Sequence, residues 1–297
     1  MRFQKNKELF FLALPGTLLF FVFSYLPLYG LILPFKNYKA NEGFFKSAWA
    51  GFNNFRFLFS GDAWRITRNT VGFNAIFIAL SLIVSVSFAL MLFELSAKFV
   101  KLYQTVLFIP YFISWVVASY IGMCLLDMNY GFLNRIIEFF GGEAKLWYNT
   151  PKYWYVIAPL ANLWKGVGYS TIIYYTALLG INAELYEAAE LDGARKWQRV
   201  IHISLPMIKP LIIMLTLMSI GGIIRSDFGL FFSFTTDSKA LYPVTDVIDT
   251  YVYRALRKLQ DVGMSSAAGL YQSVVGFVLV LASNWMVRKV DPESSLF

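Results

Sequence analysis

Residues 9–35 read LFFLALPGTLLFFVFSYLPLYGLILPF, a run of 27 residues without one charged side chain. A helix needs about 20 apolar residues to cross the hydrocarbon core of a bilayer, so the run predicts a membrane-spanning helix. Arg2, Lys5 and Lys7 precede it as a basic head. A secretory leader has a shorter apolar run that ends at a small-residue cleavage site, and none follows here. We therefore expect an uncleaved first span.

The same pattern recurs along the chain. Of its 297 residues, 58% are hydrophobic and 15% are charged, against about 45–50% and about 25% in soluble domains. The composition excludes a disordered, collagenous or disulfide-stapled chain, and the clustering of the charges excludes an ordinary soluble enzyme. The predicted spans are residues 9–35, 69–96, 102–126, 153–183, 207–232 and 264–287. We expect an all-α integral membrane protein with six transmembrane helices in a single domain, 1–297.

Charge placement predicts the orientation of the chain. Six spans put both termini on one side of the membrane. Lys98 and Lys101 lie in the short turn after the second span, and Arg288 and Lys289 follow the last. Positive charge in short loops marks the cytoplasmic side, so both termini are expected to be cytoplasmic. The net charge of +8 fits this topology and contact with anionic membrane lipid, and it gives no reason to expect nucleic-acid binding.

The spans lack the groups that drive transport or catalysis. Their charge-free runs contain no Asp, Glu or His, which proton-coupled carriers place in spans, and the chain has no Gly-x4-Gly-Lys-Ser/Thr phosphate loop. No metal-ligand spacing or nucleophile elbow occurs. We expect no enzyme activity, no metal and no cofactor in this chain. The open alternatives are a membrane enzyme that uses Asp246 and Asp249, whose three-residue spacing puts them on one face if the segment is helical, and a passive channel.

One loop, residues 184–206, predicts a helix, a turn and a second helix. Leu185, Ala188 and Ala189 share one face of the first helix, and Gly193 suits its C-terminus. Small exposed alanines allow close approach of a partner, and an amphipathic helix in a groove is a common recognition mode. The alternative is a helix that lies on the lipid headgroups.

The residues of this loop have a specific spacing. Glu187-Ala188-Ala189, then Gly193, then Ile203-x-Leu205-Pro206 resembles the signature loop of permease subunits in binding-protein-dependent ABC importers. Further segments resemble the carbohydrate branch of that family, and the later ones its subgroup for complex polysaccharides or oligosaccharides. These segments are GFNNF at 51–55, RNT at 68–70, GFLN at 131–134, WKGVG at 164–168, LYPVTDVIDTYVYR at 241–254, NWMVRK at 284–289 and ESSLF at 293–297.

The resemblance implies an ABC importer permease whose loop 184–206 carries cytoplasmic coupling helices. The implied ATPase-coupling residues are Glu187, Ala188, Ala189, Gly193, Leu205 and Pro206. The implied partners are a second homologous permease subunit, two cytoplasmic ATPase subunits that bind ATP and Mg, and an extracytoplasmic solute-binding lipoprotein. The implied function is ATP-driven import of oligosaccharide or polysaccharide-derived sugars across a bacterial plasma membrane. A permease of the same architecture for another solute is the nearest alternative.

A sugar pathway needs hydroxyl or amide partners and aromatic faces. The candidate pathway residues in the predicted spans are Tyr169, Tyr174, Tyr175, Ser219, Gln272, Ser273 and Asn284. Interfacial aromatic belts and helix–helix hydrogen bonds are the alternative roles for such residues. Gly221 and Gly222 favour close helix packing or a kink in the fifth span.

Overall fold

The computed structural model describes residues 7–59 and 61–290. These residues form helices and loops without a β-strand, apart from an isolated bridge between Lys36 and Trp49. The all-α prediction is therefore confirmed. Arg2, Lys5 and the segment 293–297 lie outside the described residues. The chain divides into two compact units, one of residues 1–60 and 252–271, the other of 61–251 and 272–297.

The first unit begins with the longest apolar run. Helix α1 (Lys7–Phe20) continues as a π-helical turn (Phe21–Tyr25) and a 3₁₀ stretch (Leu26–Phe35). Pro27 and Pro34 lack the N–H that an α-helix uses, which accounts for the change of helix type. None of its most apolar window is buried. A helix that is apolar all round and uncovered fits a membrane span.

Two side chains organise the segment after this span. Asn54 Nδ2 donates to the carbonyls of Pro34 and Lys36, both at 2.9 Å, and Lys36 Nζ donates to those of Phe44 and Phe45, both at 2.8 Å. The GFNNF segment therefore fixes the path of the chain as it leaves the span. Two short helices lie here, α2 (Gly43–Lys46) and a 3₁₀ turn (Asn53–Phe59).

The second unit holds most of the remaining helices. They are α3 (Gly61–Phe93), α4 (Ala97–Phe112), α5 (Trp115–Leu126), α6 (Phe132–Phe139), α7 (Pro151–Leu179), α8 (Ala183–Leu191), α9 (Lys196–Arg199), α10 (Leu205–Gly221) and α11 (Tyr242–Thr245). Two further helices, α12 (Ile248–Arg254) and α13 (Val262–Val290), contribute residues to both units.

Among the described residues, four helices are long and apolar enough to cross a membrane, and a bent pair of helices makes a fifth candidate. The four are Leu9–Phe35, Asp62–Phe93, Lys196–Gly221 and Val262–Lys289. Helix α7, predicted as the fourth span, has 29 residues, about 43 Å at 1.5 Å per residue. Lys165 and several Tyr and Trp residues lower its apolarity. The predicted count of six is therefore reached only if α7 and the bent pair each cross once.

The predicted third span, 102–126, is not one continuous helix. The direction of the helix axis changes by 101° between α4 and α5. Ile113 is extended, with φ −73° and ψ 126°, and Ser114 begins α5 by accepting a hydrogen bond from the Val117 N–H at 3.3 Å. Pro110 lies in the last turn of α4. An extended residue followed by a serine N-cap ends one helix and starts another, although both segments are apolar.

The predicted fifth span, 207–232, is displaced toward the N-terminus. Helix α9 runs through a π-helical turn (Val200–Ser204) into α10, so the span begins at Lys196. A π-turn accommodates the missing N–H of Pro206 without ending the helix. The second half of loop 184–206 is thus the start of the span. The helix ends at Gly221, and a separate π-helical turn (Gly229–Phe234) follows.

Two apolar clusters form the core of the second unit. One surrounds Trp154 and Phe231 and joins α3, α5 and α7 to the turn after α10. The other surrounds Tyr174, Leu178 and Ile208 and joins α3, α7 and α10. Helix α7 contributes to both clusters, so it is the central element on which the candidate sites are built.

Candidate functional site

Loop 184–206 has the helix–turn–helix form that its spacing predicts. Asn182 caps α8, because its Oδ1 accepts from the Glu184 N–H at 3.1 Å. Gly193 follows α8 with a φ of +77°, a conformation that glycine adopts without a steric cost. The Ala194 N–H then donates to the Ala189 carbonyl at 2.9 Å, which satisfies an open carbonyl at the end of the helix.

Three polar contacts hold this loop together and attach it to α3. They are the Tyr186–Ser204 hydroxyl pair at 2.9 Å and the ion pairs Arg199–Glu190 at 3.1 Å and Lys196–Glu94 at 3.0 Å. The first ties α8 to the start of the fifth span, the second closes the loop on itself, and the third reaches the end of α3. The loop is therefore linked by polar contacts to the end of α3 and to the turn that leads into α10.

The outer face of the loop carries residues without partners in the described structure. Glu187 and Ala188 are exposed and Ala189 is half-buried. Leu191 is 89% exposed and Trp197 71% exposed, although both are apolar. An exposed face that combines apolar, small and charged side chains is suited to bind another protein.

The two remaining predicted coupling residues differ from the others in their surroundings. Leu205 packs against the apolar cluster around Tyr174, whereas Pro206 is exposed at the start of α10. Leu205 therefore holds the loop to the core, and it is not part of the exposed face.

Three predicted pathway residues converge on one cavity. Tyr169, Tyr174 and Ser219 line a cavity of about 340 Å³ between α3, α7 and α10. Tyr169 stacks on Tyr111 with ring centroids 4.9 Å apart. The hydroxyl groups of Ser81, Ser170 and Thr216 belong to the same wall, so the cavity offers both aromatic faces and hydrogen-bonding groups.

Two further predicted residues line a second cavity. Gln272 and Ser273 face about 400 Å³ of space between α10 and α13, together with Arg225. Met218 lines both cavities, so the two adjoin on α10. Tyr175 and Asn284 line neither of them. Tyr175 packs against the cluster around Tyr174, and Asn284 is 3% exposed.

Glycines bring α10 and α13 into contact beside the second cavity. A Cβ atom at Gly276 would lie 2.6 Å from the Gly221 carbonyl oxygen, and one at Gly221 would lie 2.3 Å from the Val280 side chain. Both distances are shorter than van der Waals contact. Of the two expectations for Gly221, close packing is confirmed. In place of a kink, the helix ends at this residue.

A charged residue in α7 has a role that the sequence did not reveal. Lys165 Nζ donates to the carbonyls of Tyr111, at 3.0 Å, and of Ile113. These carbonyls lie where α4 ends and its helical hydrogen bonds stop. At the same interface, a Cβ atom at Gly168 would lie 2.0 Å from the Leu107 carbonyl oxygen. The sequence feature that signals this role is a single lysine in an otherwise charge-free run.

The two carboxylates of the enzyme alternative have separate structural partners. Asp246 Oδ2 pairs with Arg65 at 3.1 Å, and the Asp246 side chain is 2% exposed. Asp249 Oδ2 accepts from the Ser226 N–H at 2.7 Å and from Gln272 Nε2 at 3.3 Å. Burial raises the pKa of Asp249. Among residues 7–59 and 61–290, no group of three His, Cys, Asp or Glu side chains is placed to hold a metal ion.

The fold and the loop define a membrane transport component. Residues 94–292 match the family described as binding-protein-dependent transport system inner membrane component, and the chain belongs to this family. Over 291 residues it is 33% identical to the Bacillus subtilis polygalacturonan/rhamnogalacturonan transport system permease YteP, covering 97% of this chain and 90% of that protein.

Two crystal structures are similar over nearly the whole chain. A chain of a bacterial ABC transporter involved in import of the acidic polysaccharide alginate has a TM-score of 0.88 and 30% identity, with 98% of each chain covered. A chain of a bacterial alginate ABC transporter in complex with an alginate pentasaccharide-bound periplasmic protein has a TM-score of 0.87 and 30% identity, covering 97% of this chain and 96% of that one.

These similarities confirm the resemblance drawn from the loop to permeases of carbohydrate ABC importers. They also place the chain among transport components rather than enzymes, so the enzyme alternative that used Asp246 and Asp249 was wrong. A membrane location follows from the family and from the apolar helices.

Proposed function

We propose that this chain is a transmembrane subunit of an ATP-driven importer that translocates oligosaccharides delivered by an extracytoplasmic binding protein. The observation that carries the proposal is the likeness, along 98% of the chain, to a subunit of an alginate importer. The two adjoining cavities support it, because hydroxyl groups, an amide and tyrosine rings suit a sugar.

The proposed topology has six spans and cytoplasmic termini in a bacterial plasma membrane. The four long apolar helices, the bent pair α4–α5 and helix α7 each cross once. Lys165 is compatible with a span because its ammonium group binds two carbonyls of the bend, and intramembrane cations are tolerated when they pair in this way.

The proposed coupling surface is the exposed face of α8 and its turn. Glu187, Ala188, Ala189 and Gly193 contact one of two cytoplasmic ATPase subunits, which bind ATP and Mg. A second, homologous permease completes the pathway. When the ATPase pair closes, α8 is displaced, and the contacts from Lys196 to Glu94 and from Tyr186 to Ser204 carry the displacement to α3 and α10. The spans then change between two packed states.

Substitutions in the loop test this coupling. In the complete complex, Glu187→Ala and Gly193→Val are expected to reduce both ATP-dependent uptake and binding-protein-stimulated ATPase activity. Gly193→Val also strains a backbone with φ of +77°. Glu143→Ala, an exposed glutamate outside the loop, is the matched control. Unchanged and still coupled uptake in both loop variants would refute the coupling role.

Uptake measurements separate the remaining alternatives. Proteoliposomes with the ATPase subunits facing the lumen and the binding protein outside should accumulate a labelled oligosaccharide only when the lumen contains ATP. Flux without ATP indicates a passive channel. ATP-dependent uptake of another solute, together with no uptake of any oligosaccharide, indicates a permease of the same architecture for a non-sugar substrate.

A further inference from the structure

Arg225 stands at the end of the fifth span on a backbone that is held in place by side chains. Asn74 Nδ2 donates to the carbonyls of Ile223, at 2.7 Å, and of Arg225, at 2.8 Å. Gln272 Nε2 donates to the Ile224 carbonyl at 2.9 Å. Three successive carbonyls after α10 are thus satisfied by amides from α3 and α13, which fixes the position from which the Arg225 side chain extends.

The guanidinium group opens onto the second cavity. Arg225 is exposed, and its Nη2 donates to Ser273 Oγ at 3.0 Å. A guanidinium group has five N–H donors, so most of them remain available to a ligand in the cavity. Ser273 is itself exposed at the same wall and adds a hydroxyl group beside this cation.

The charge of Arg225 is not matched by a carboxylate in either cavity. The described residues that line the two cavities include no Asp or Glu, and Arg225 forms none of the ion pairs found among the described residues. Asp249, whose Oδ2 accepts hydrogen bonds from Ser226 and Gln272, interacts with Arg225 electrostatically but forms no direct ion pair with it. The cavity therefore presents an exposed cation that forms no direct ion pair among the described residues.

We propose that Arg225, with Ser273, binds the carboxylate of an acidic saccharide, so that the pathway selects oligosaccharides of uronic acids over neutral ones. The planar guanidinium fork matches a carboxylate in a bidentate manner. The hydroxyl groups and tyrosine rings of the adjoining cavity bind the neutral parts of the same chain. This proposal rests on the function proposed above and names the substrate class of that pathway.

Measuring how tightly oligosaccharides bind to the complex itself tests the selectivity of the pathway, because no binding protein selects the substrate beforehand. The complete nucleotide-free complex in lipid nanodiscs is titrated by calorimetry with tetragalacturonate and with its carboxyl-reduced, neutral counterpart. Wild type is expected to bind the acidic probe about 10-fold more tightly or better, as charged hydrogen bonds allow. The difference should shrink as ionic strength rises, because salt screens the attraction.

Variants assign the effect to the side chain. Arg225→Met should lower affinity for tetragalacturonate about 10-fold and leave affinity for the neutral probe within about 2-fold. Arg225→Lys keeps the charge but loses the fork, and it should give an intermediate affinity. Ser273→Ala is a second variant that retains the cation and should weaken only the acidic probe. Arg135→Met, at an exposed arginine of α6, is the matched control and should change neither affinity.

The proposal is overturned if wild type binds both probes equally or binds neither, or if Arg225→Met weakens both to the same extent. These results differ from failure of the importer function. If the complex takes up the neutral oligosaccharide with ATP and shows no preference for the acidic one, the importer function holds and the selectivity of Arg225 fails. If no oligosaccharide of either kind is taken up with ATP, the importer function fails.

Discussion

Lys165→Met is expected to destabilise the bend between α4 and α5. The substitution preserves the apolar stem of the side chain and removes its three N–H donors. Two carbonyls, of Tyr111 and Ile113, then lose their donor. The cation also lies 5.9 Å and 5.6 Å from the ring centroids of Tyr111 and Trp115, so two cation–π contacts disappear as well.

The magnitude follows from these contacts. A hydrogen bond to a charged group contributes about 1.5–3 kcal/mol, and a cation–π contact at a partly exposed site about 0.5–1 kcal/mol. Lys165 is half-buried, and Met avoids the cost of desolvating an ammonium group, which offsets part of the loss. We expect a net destabilisation of about 2–4 kcal/mol. Soluble proteins of 150–250 residues lose about 2–4 °C of Tm per kcal/mol, so Tm should fall by about 4–16 °C.

Thermal unfolding of the purified complex in nanodiscs measures this loss, and hydrogen exchange at residues 113–117 reports on the bend itself. Lys165→Arg retains N–H donors, so its free energy of unfolding should fall by less than half of the loss caused by Lys165→Met. Lys239→Met, at an exposed lysine, controls for the loss of a positive charge. The reasoning is refuted if Lys165→Met melts within about 1 °C of wild type with unchanged exchange at the bend, or if the Lys239 variant loses as much.

Three further predictions concern packing, charge and an unpaired hydroxyl. Gly168→Ala should lower the yield of folded protein and cost about 3 kcal/mol or more by overpacking. Gly166→Ala, with no atom within 4 Å of its Cβ, should be neutral or stabilise by up to about 1 kcal/mol. Equal Tm values for the two variants would contradict this prediction. Asp246→Asn should cost about 3 kcal/mol in thermal unfolding because it removes the buried carboxylate that pairs with Arg65. Asp62→Asn removes only the half-exposed second partner of the same arginine and should cost less than about 1 kcal/mol. Burial, and then the charge of a nearby aspartate, raise the pKa of Tyr148 to about 12, so wild type should lose stability as pH rises from 10 to 12, and Tyr148→Phe should lose less. The same variant should be neutral or more stable at pH 7, because the hydroxyl is buried without a described partner; a large loss there would contradict the reading.

Much of the fold was predictable because its causes are local. A charge-free run such as 9–35 becomes helical in a membrane whatever surrounds it, since each backbone group must be satisfied within the segment. The helix–turn–helix form of loop 184–206 was predictable for the same reason, because Asn182 and Gly193 determine the backbone of the residues next to them. Tyr169 and Ser219 were predictable as candidate pathway residues only by type, because chain position does not show which helix faces meet.

The bend in the third predicted span was not predictable from its apolar sequence. Besides the extended Ile113 and the Ser114 cap, the bend is bound by Lys165, whose ammonium group reaches carbonyls of residues more than 50 positions earlier in the chain. The displacement of the fifth span was not predicted either, because the helix continues through Pro206 by way of a π-turn, whereas the predicted span begins at residue 207.

The sequence by itself determined that the chain is helical, apolar and equipped with an exposed loop, because these properties follow from composition and from neighbours within about one helical turn. Only the tertiary structure decided which polar residues share a cavity, which carboxylates are paired and where the cation of Arg225 stands. Those facts depend on contacts between helices that are far apart in sequence, among them the close packing of α7 on α4 at Gly168 and of α10 on α13 at Gly221 and Gly276.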